Sequence, residues 1–74
     1  MILATVKLHH SIPGKKFIDD GPINRWLLDN VGANARFRDL VDEQRPWHAE
    51  HTFDCIVYSF ASEEDAIMFS LRWL

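Results

Sequence analysis

The chain has one cysteine, Cys55. A single thiol cannot close an intramolecular disulfide, which excludes the covalent staples of small secreted domains and fits a reducing compartment. Long apolar runs are missing too. Nothing approaches the ~20 residues that cross a bilayer, and Met1 leads into a strand-like stretch with neither a cationic leader nor a cleavage site. The expectation is a cytoplasmic protein with no membrane partner. Glycine is scarce, and its three residues sit singly, leaving no Gly-rich phosphate loop and no Gly-x-Ser-x-Gly elbow. Repeats, low-complexity tracts and interdomain linkers are absent as well.

At 74 residues the chain has room for one hydrophobic core and not two, because a domain of this size buries only about 60% of its unfolded surface. One domain spanning residues 1–74 is expected. Apolar residues make up 47% and charged residues 26%, an ordinary globular balance that argues against disorder. The net charge of −3 conceals an asymmetry. Residues 1–38 carry six basic and three acidic side chains, whereas 39–74 carry two basic and eight acidic, giving halves of +3 and −6. Such a chain can pair with itself or offer an acidic face to a basic partner, and it is a poor match to duplex nucleic acid.

From Ile2 to His9 the residues alternate, with Ile2, Ala4, Val6 and Leu8 on one face and Leu3, Thr5, Lys7 and His9 on the other, which predicts a half-buried strand. Ser11-Ile12-Pro13-Gly14 is turn chemistry, and Lys15 and Lys16 continue a solvated loop. Pro22 suits a first helical turn, with Asp19 and Asp20 at the end where the helix dipole favours negative charge. Ile23, Trp26, Leu27 and Val31 then follow at helical spacing, and Gly32 supplies a stop. The next segment reads two ways. Asn34 can cap a helix whose Phe37, Leu40, Val41 and Gln44 share a face and which ends before Pro46, and a strand is the alternative. His51 to Phe60 is strand-like, with Phe53, Cys55, Val57 and Ser59 opposite Asp54, Ile56, Tyr58 and Phe60. Ser62 caps a last helix whose first turn holds Glu63, Glu64 and Asp65. Its apolar residues cover more than half the circumference, more than one sheet face requires, so it is expected to touch two surfaces.

The run Tyr58-Ser59-Phe60-Ala61-Ser62-Glu63-Glu64-Asp65-Ala66 resembles the third strand and second helix of ferredoxin-like domains, including RNA-recognition motifs. The resemblance implies a small two-layer α+β sandwich of order β-α-(α or β)-β-α, lacking the family's final strand. In RNA-recognition motifs this strand exposes aromatic residues that stack bases, whereas the matching places here are Cys55 and Val57. The resemblance therefore carries the fold and not the base-stacking groups. The last twenty residues, with Glu64-Asp65-Ala66 and Phe69-Ser70-Leu71-Arg72-Trp73, are also similar to small uncharacterised proteins encoded by tailed phages of marine cyanobacteria. That similarity implies a viral protein in a bacterial host cytoplasm, as an accessory or structural component or a modulator of a host protein.

Four histidines raise the question of a metal: His9 and His10 end the first strand, and His48 and His51 enter the later one. Zinc needs three or four ligands in tetrahedral array, and neighbours on a strand point to opposite faces, so surface histidines are the plainer reading. Cys55 sits mid-strand, where a thiol serves as a small hydrophobe, and the Glu63 to Asp65 run suits a solvated helix start better than an acid-base pair. No catalytic group and no cofactor is expected. The informative feature is the apolar surplus. With the helices packed on the Ile2/Ile56 face, the other face would expose Leu3, Phe53, Cys55 and Val57, and something must cover it: the middle segment, a second copy or a partner protein. Trp47 and Trp73 are the aromatic residues expected near such an interface. The leading expectation is thus a non-enzymatic protein-binding domain, whose partner is a second copy in a homodimer or another protein. The runner-up is nucleic-acid binding through Lys7, Lys15, Lys16, Arg25, Arg36 and Arg38, and the third is metal binding through the histidines.

Overall fold

In the computed structural model, the residues described are 1–9, 21–52 and 55–74. The predicted turn at Ser11 to Gly14, Lys15, Lys16, Asp19, Asp20, His10, Phe53 and Asp54 lie outside them. The N-terminal alternation forms strand β1, Ala4–His9, with Ala4, Val6 and Leu8 half-buried and Thr5 and Lys7 exposed. Helix α1, Gly21–Asn30, buries Ile23 and Leu27. It closes on two backbone bonds, from Val31 N–H and Gly32 N–H to the Leu27 carbonyl, with Gly32 at φ +143°. A left-handed φ of this kind suits glycine at a helix stop.

The middle segment is neither of the elements expected. Residues 34–44 hold a single 3₁₀ turn, Arg38–Leu40, and no α-helix. Two local forces override the helical spacing of Phe37, Leu40 and Val41. Asn34 bridges Trp47 in parallel, with Ala35 N–H donating to the Trp47 carbonyl, which holds the start of the segment extended. Near its end the Asp42 carboxylate accepts from Gln44 N–H and Arg45 N–H, both at 2.9 Å, a turn that competes with helix. The missing element comes later than expected, as strand β2, Trp47–His51. The strand anticipated from His51 is accordingly shorter: β3 runs Cys55–Phe60. At the link, Thr52 N–H and Thr52 Oγ1 both donate to the Cys55 carbonyl.

Helix α2, Glu63–Trp73, starts where the sequence places it. Ser62 Oγ accepts from Glu64 N–H at 3.1 Å and Asp65 N–H at 3.5 Å, satisfying donors that the first turn leaves without helical partners. The result is an α+β fold of two helices and a three-stranded antiparallel sheet in the order β1-β3-β2. β3 is antiparallel to both neighbours, so β1 and β2 run in the same direction on either side of it. Among the described residues, no helix is long and apolar enough to cross a membrane.

Register fixes the two faces of the sheet. The row Ala4–Phe60–Trp47, the row Val6–Tyr58–Ala49 and the pair Leu8–Ile56 turn to the helices, where Ile23, Leu27, Ala66 and Phe69 complete the core. Phe69 is its centre, with ring centroids 4.6 Å from Tyr58, 5.4 Å from Phe60 and 6.1 Å from Trp26. Thr5, Lys7, Cys55, Val57, Ser59, His48 and Glu50 occupy the opposite face.

Candidate functional site

The opposite face is the surface that sequence alternation marks as uncovered, yet Cys55 and Ser59 are buried there and Val57 is half-buried. Over Ser59 the cover comes from the segment after α1, whereas at the other end of β3 the Sγ of Cys55 lies 3.1 Å from Thr52 Oγ1. His48, on the same face, holds its Nδ1 2.9 Å from the Ala35 carbonyl; a carbonyl only accepts, so Nδ1 carries the proton and donates. At the far side of the sheet the terminal amine of Met1 donates to the Val41 carbonyl. A chain anchored at both the β2 edge and the N-terminus crosses this end of the sheet, with Ala35 and Val41 buried along it. Phe37 and Leu40, expected to share that task, are exposed. Lys7 and Glu50 flank Val57 across the remainder of the face.

Among the described residues, an apolar surface left open lies elsewhere, at the outer edge of β1. Since α2 packs on both β1 and β3, its side away from α1 overhangs this edge and leaves a groove of about 400 Å³. The floor is Leu3, Ala4, Thr5 and Val6, and the wall is Glu63, Ala66, Ile67, Ser70 and Leu71. Leu3, Ile67 and Leu71 remain 57%, 59% and 84% exposed. Helical spacing places Glu63, Ile67 and Leu71 in one line along α2, so the wall is acidic at its start and apolar beyond. Asp65, in the same first turn, has its carboxyl raised above the usual carboxylate range by burial and, secondarily, by the charge of Glu64.

Such a groove has a definite chemical capacity. An edge strand presents alternate N–H and C=O groups to whatever lies beside it, and an apolar wall above that edge favours an extended chain with apolar side chains on one face. The outer edge of β2, by contrast, is engaged at its start by the Asn34 bridge. Among the described residues, no group of three His, Cys, Asp or Glu side chains is arranged to hold a metal ion. His48 and His51 stand three places apart on β2 and so point to opposite faces.

The residues singled out by sequence are dispersed. Leu3 lies in the groove. Trp47 is 2% exposed in the core, its Nε1–H donating to the Gly32 carbonyl, so it offers no surface to a partner. Cys55 is buried, with its Sγ 3.1 Å from Thr52 Oγ1. Trp73 is half-buried edge-on to Trp26, and the Arg72 guanidinium lies 4.4 Å over its ring. Lys7, Arg25, Arg36 and Arg38 are each exposed. Ile67 and Leu71 were not singled out as site residues, although the apolar surplus of the last helix carried their signal. No family model, curated protein or solved structure matches the chain.

Proposed function

We propose that this chain is a small, non-enzymatic protein-binding domain of ferredoxin-like design, and that it binds an extended polypeptide in the groove between β1 and α2. The observation that carries the reading is a strand edge with no paired strand among the described residues, beside the exposed Ile67 and Leu71 above it. The β-α-β-β-α order, with β1 and β2 parallel about a central β3, supports the ferredoxin-like part. A further strand in that design has its open place at the outer edge of β1. Aliphatic Val57 and buried Cys55, at the places where aromatic stacking groups would be needed, speak against a base-binding sheet. From the resemblance of the last twenty residues to phage proteins we further propose a bacterial host cytoplasm as the chain's setting.

The experiment is selection of peptides from a random library on the intact chain, with recovered peptides measured against wild type and Leu71→Arg. Peptides with alternating apolar residues that lose about tenfold or more in affinity for the variant are the expected result, a difference of ~1.4 kcal/mol. Failure to recover any peptide, or binding indifferent to the substitution, would overturn the reading.

A further inference from the structure

We infer that the natural occupant of the groove is a second copy of the chain, joined edge to edge through antiparallel pairing of β1 with its symmetry mate about a twofold axis at Val6. The inference rests on the groove being a strand-binding site and adds the identity of the strand. It joins two three-stranded sheets into one continuous sheet and brings two α2 helices together over the seam.

Spacing is the first argument. Paired strands lie about 4.8 Å apart, so each β1 would stand ~2.4 Å from the twofold axis and each β3 ~7 Å from it. Because α2 packs on both, its axis projects near the midpoint, and the two α2 axes would be about 10 Å apart. Packed helices sit at about 8–10 Å. An isolated peptide strand reaches the β1 edge and the near side of Ile67 and Leu71. A second copy also sets a second α2, with the same residues, against their far side.

Helix dipoles agree with the same geometry. A twofold axis perpendicular to the sheet makes the two α2 helices antiparallel, which sets the first turn of one beside the last turn of the other. Opposed helix dipoles then meet at both ends of the seam, while Arg72 stays over Trp73 on the α1 side of the helix.

Register is selected by Lys7. With the axis at Val6, Ala4 faces the mate's Leu8, Thr5 faces Lys7 and Val6 faces Val6, using β1 from Ala4 to Leu8. Moving the axis to Lys7 sets two ammonium groups directly opposite one another, which destabilises a strand pair. Moving it to Thr5 leaves only Ala4 to Val6 paired within the strand. Lys7, a residue that ordinarily discourages edge pairing, here faces a hydroxyl.

Sedimentation equilibrium over a range of concentrations, with far-UV circular dichroism to verify folding, tests this on wild type, Leu71→Arg, Thr5→Lys and Thr5→Glu. Thr5 and Leu71 are both exposed, so each variant should keep its fold. Wild type should approach twice 8.7 kDa, and Leu71→Arg should remain at the monomer mass. Thr5→Lys should weaken the dimer by about threefold to thirtyfold and Thr5→Glu should tighten it by a similar factor, since each substitution acts at two symmetric pairs. Both effects should shrink in about 0.5 M salt. A wild-type chain that stays monomeric up to about 1 mM while still binding selected peptides would overturn the inference and leave the groove reading intact. A dimer insensitive to all three substitutions would also overturn it, placing the interface elsewhere.

Discussion

The indole Nε1–H of Trp47 donates to the carbonyl of Gly32 at 2.7 Å, tying the first residue of β2 to the residue that stops α1. Both partners are constrained. Trp47 is held in the core, and Gly32 stands at φ +143° with Pro46 packed against it. This bond sets where the chain leaves α1 and thus where Asn34 and Ala35 meet the β2 edge.

Gly32→Ala should therefore destabilise the fold by about 1–3 kcal/mol. An L-residue is disfavoured at this φ, and the added Cβ would stand 3.0 Å from Pro46 Cγ and 3.2 Å from Pro46 Cδ, in a ring that cannot swing aside. Urea unfolding followed by tryptophan fluorescence gives the difference directly. A loss below about 0.5 kcal/mol would mean that the α1 stop tolerates a side chain and that the clash relaxes.

Phe69→Ala should remove about 3–5 kcal/mol, because the ring is fully buried against Tyr58, Phe60 and Trp26. Native domains hold about 5–15 kcal/mol in total, so this loss removes a large fraction of the stability and should lower the melting temperature markedly. Leu71→Ala, two residues away but exposed, should change the stability of the dilute monomer by no more than about 0.5 kcal/mol. Thermal melts at low protein concentration compare the two. Equal losses would contradict the assignment of inner and outer faces on α2.

The strands and helices whose signals are local were legible before the structure. Alternation gave β1, and the Ser62 cap with its acidic first turn gave the start of α2. β2 escaped notice because Trp47-His48-Ala49-Glu50-His51 is short and the apolar residues it places on the core face are just two, Trp47 and Ala49. Helical spacing in Phe37, Leu40 and Val41 misled, since the Asp42 turn and the bridge to Trp47 hold that segment out of helix. The groove was half legible. Surplus apolar residues on α2 were visible in sequence, but which of them face open space depends on β1 lying at the sheet edge, a consequence of pairings between residues more than forty positions apart.

Ser62→Ala should cost about 1 kcal/mol by freeing the N–H groups of Glu64 and Asp65 at the start of α2. Ser62→Asp should recover most of that, because a carboxylate accepts the same bonds and suits the positive end of the helix dipole. Chemical denaturation of the three proteins provides the comparison. If alanine and aspartate behaved alike, the cap would contribute nothing beyond the local backbone geometry.

Asp65 links the same turn to pH. Burial, and after it the neighbouring charge of Glu64, raises its carboxyl above the ordinary value of 3.8, so the folded chain holds this proton more tightly than the unfolded chain. Above the folded value the ionised carboxylate detracts from stability. As pH falls through the folded value toward the unfolded one near 3.8 the penalty disappears, and below both it is absent. Asp65→Asn lacks this titration. The difference in unfolding free energy, wild type minus Asp65→Asn, should therefore rise as pH falls from 7 into that window and then level off, with denaturant melts of both proteins at each pH as the measurement. A difference that fell on acidification would mean that the carboxylate is stabilised in the folded state, with the dipole of α2 outweighing burial and the charge of Glu64.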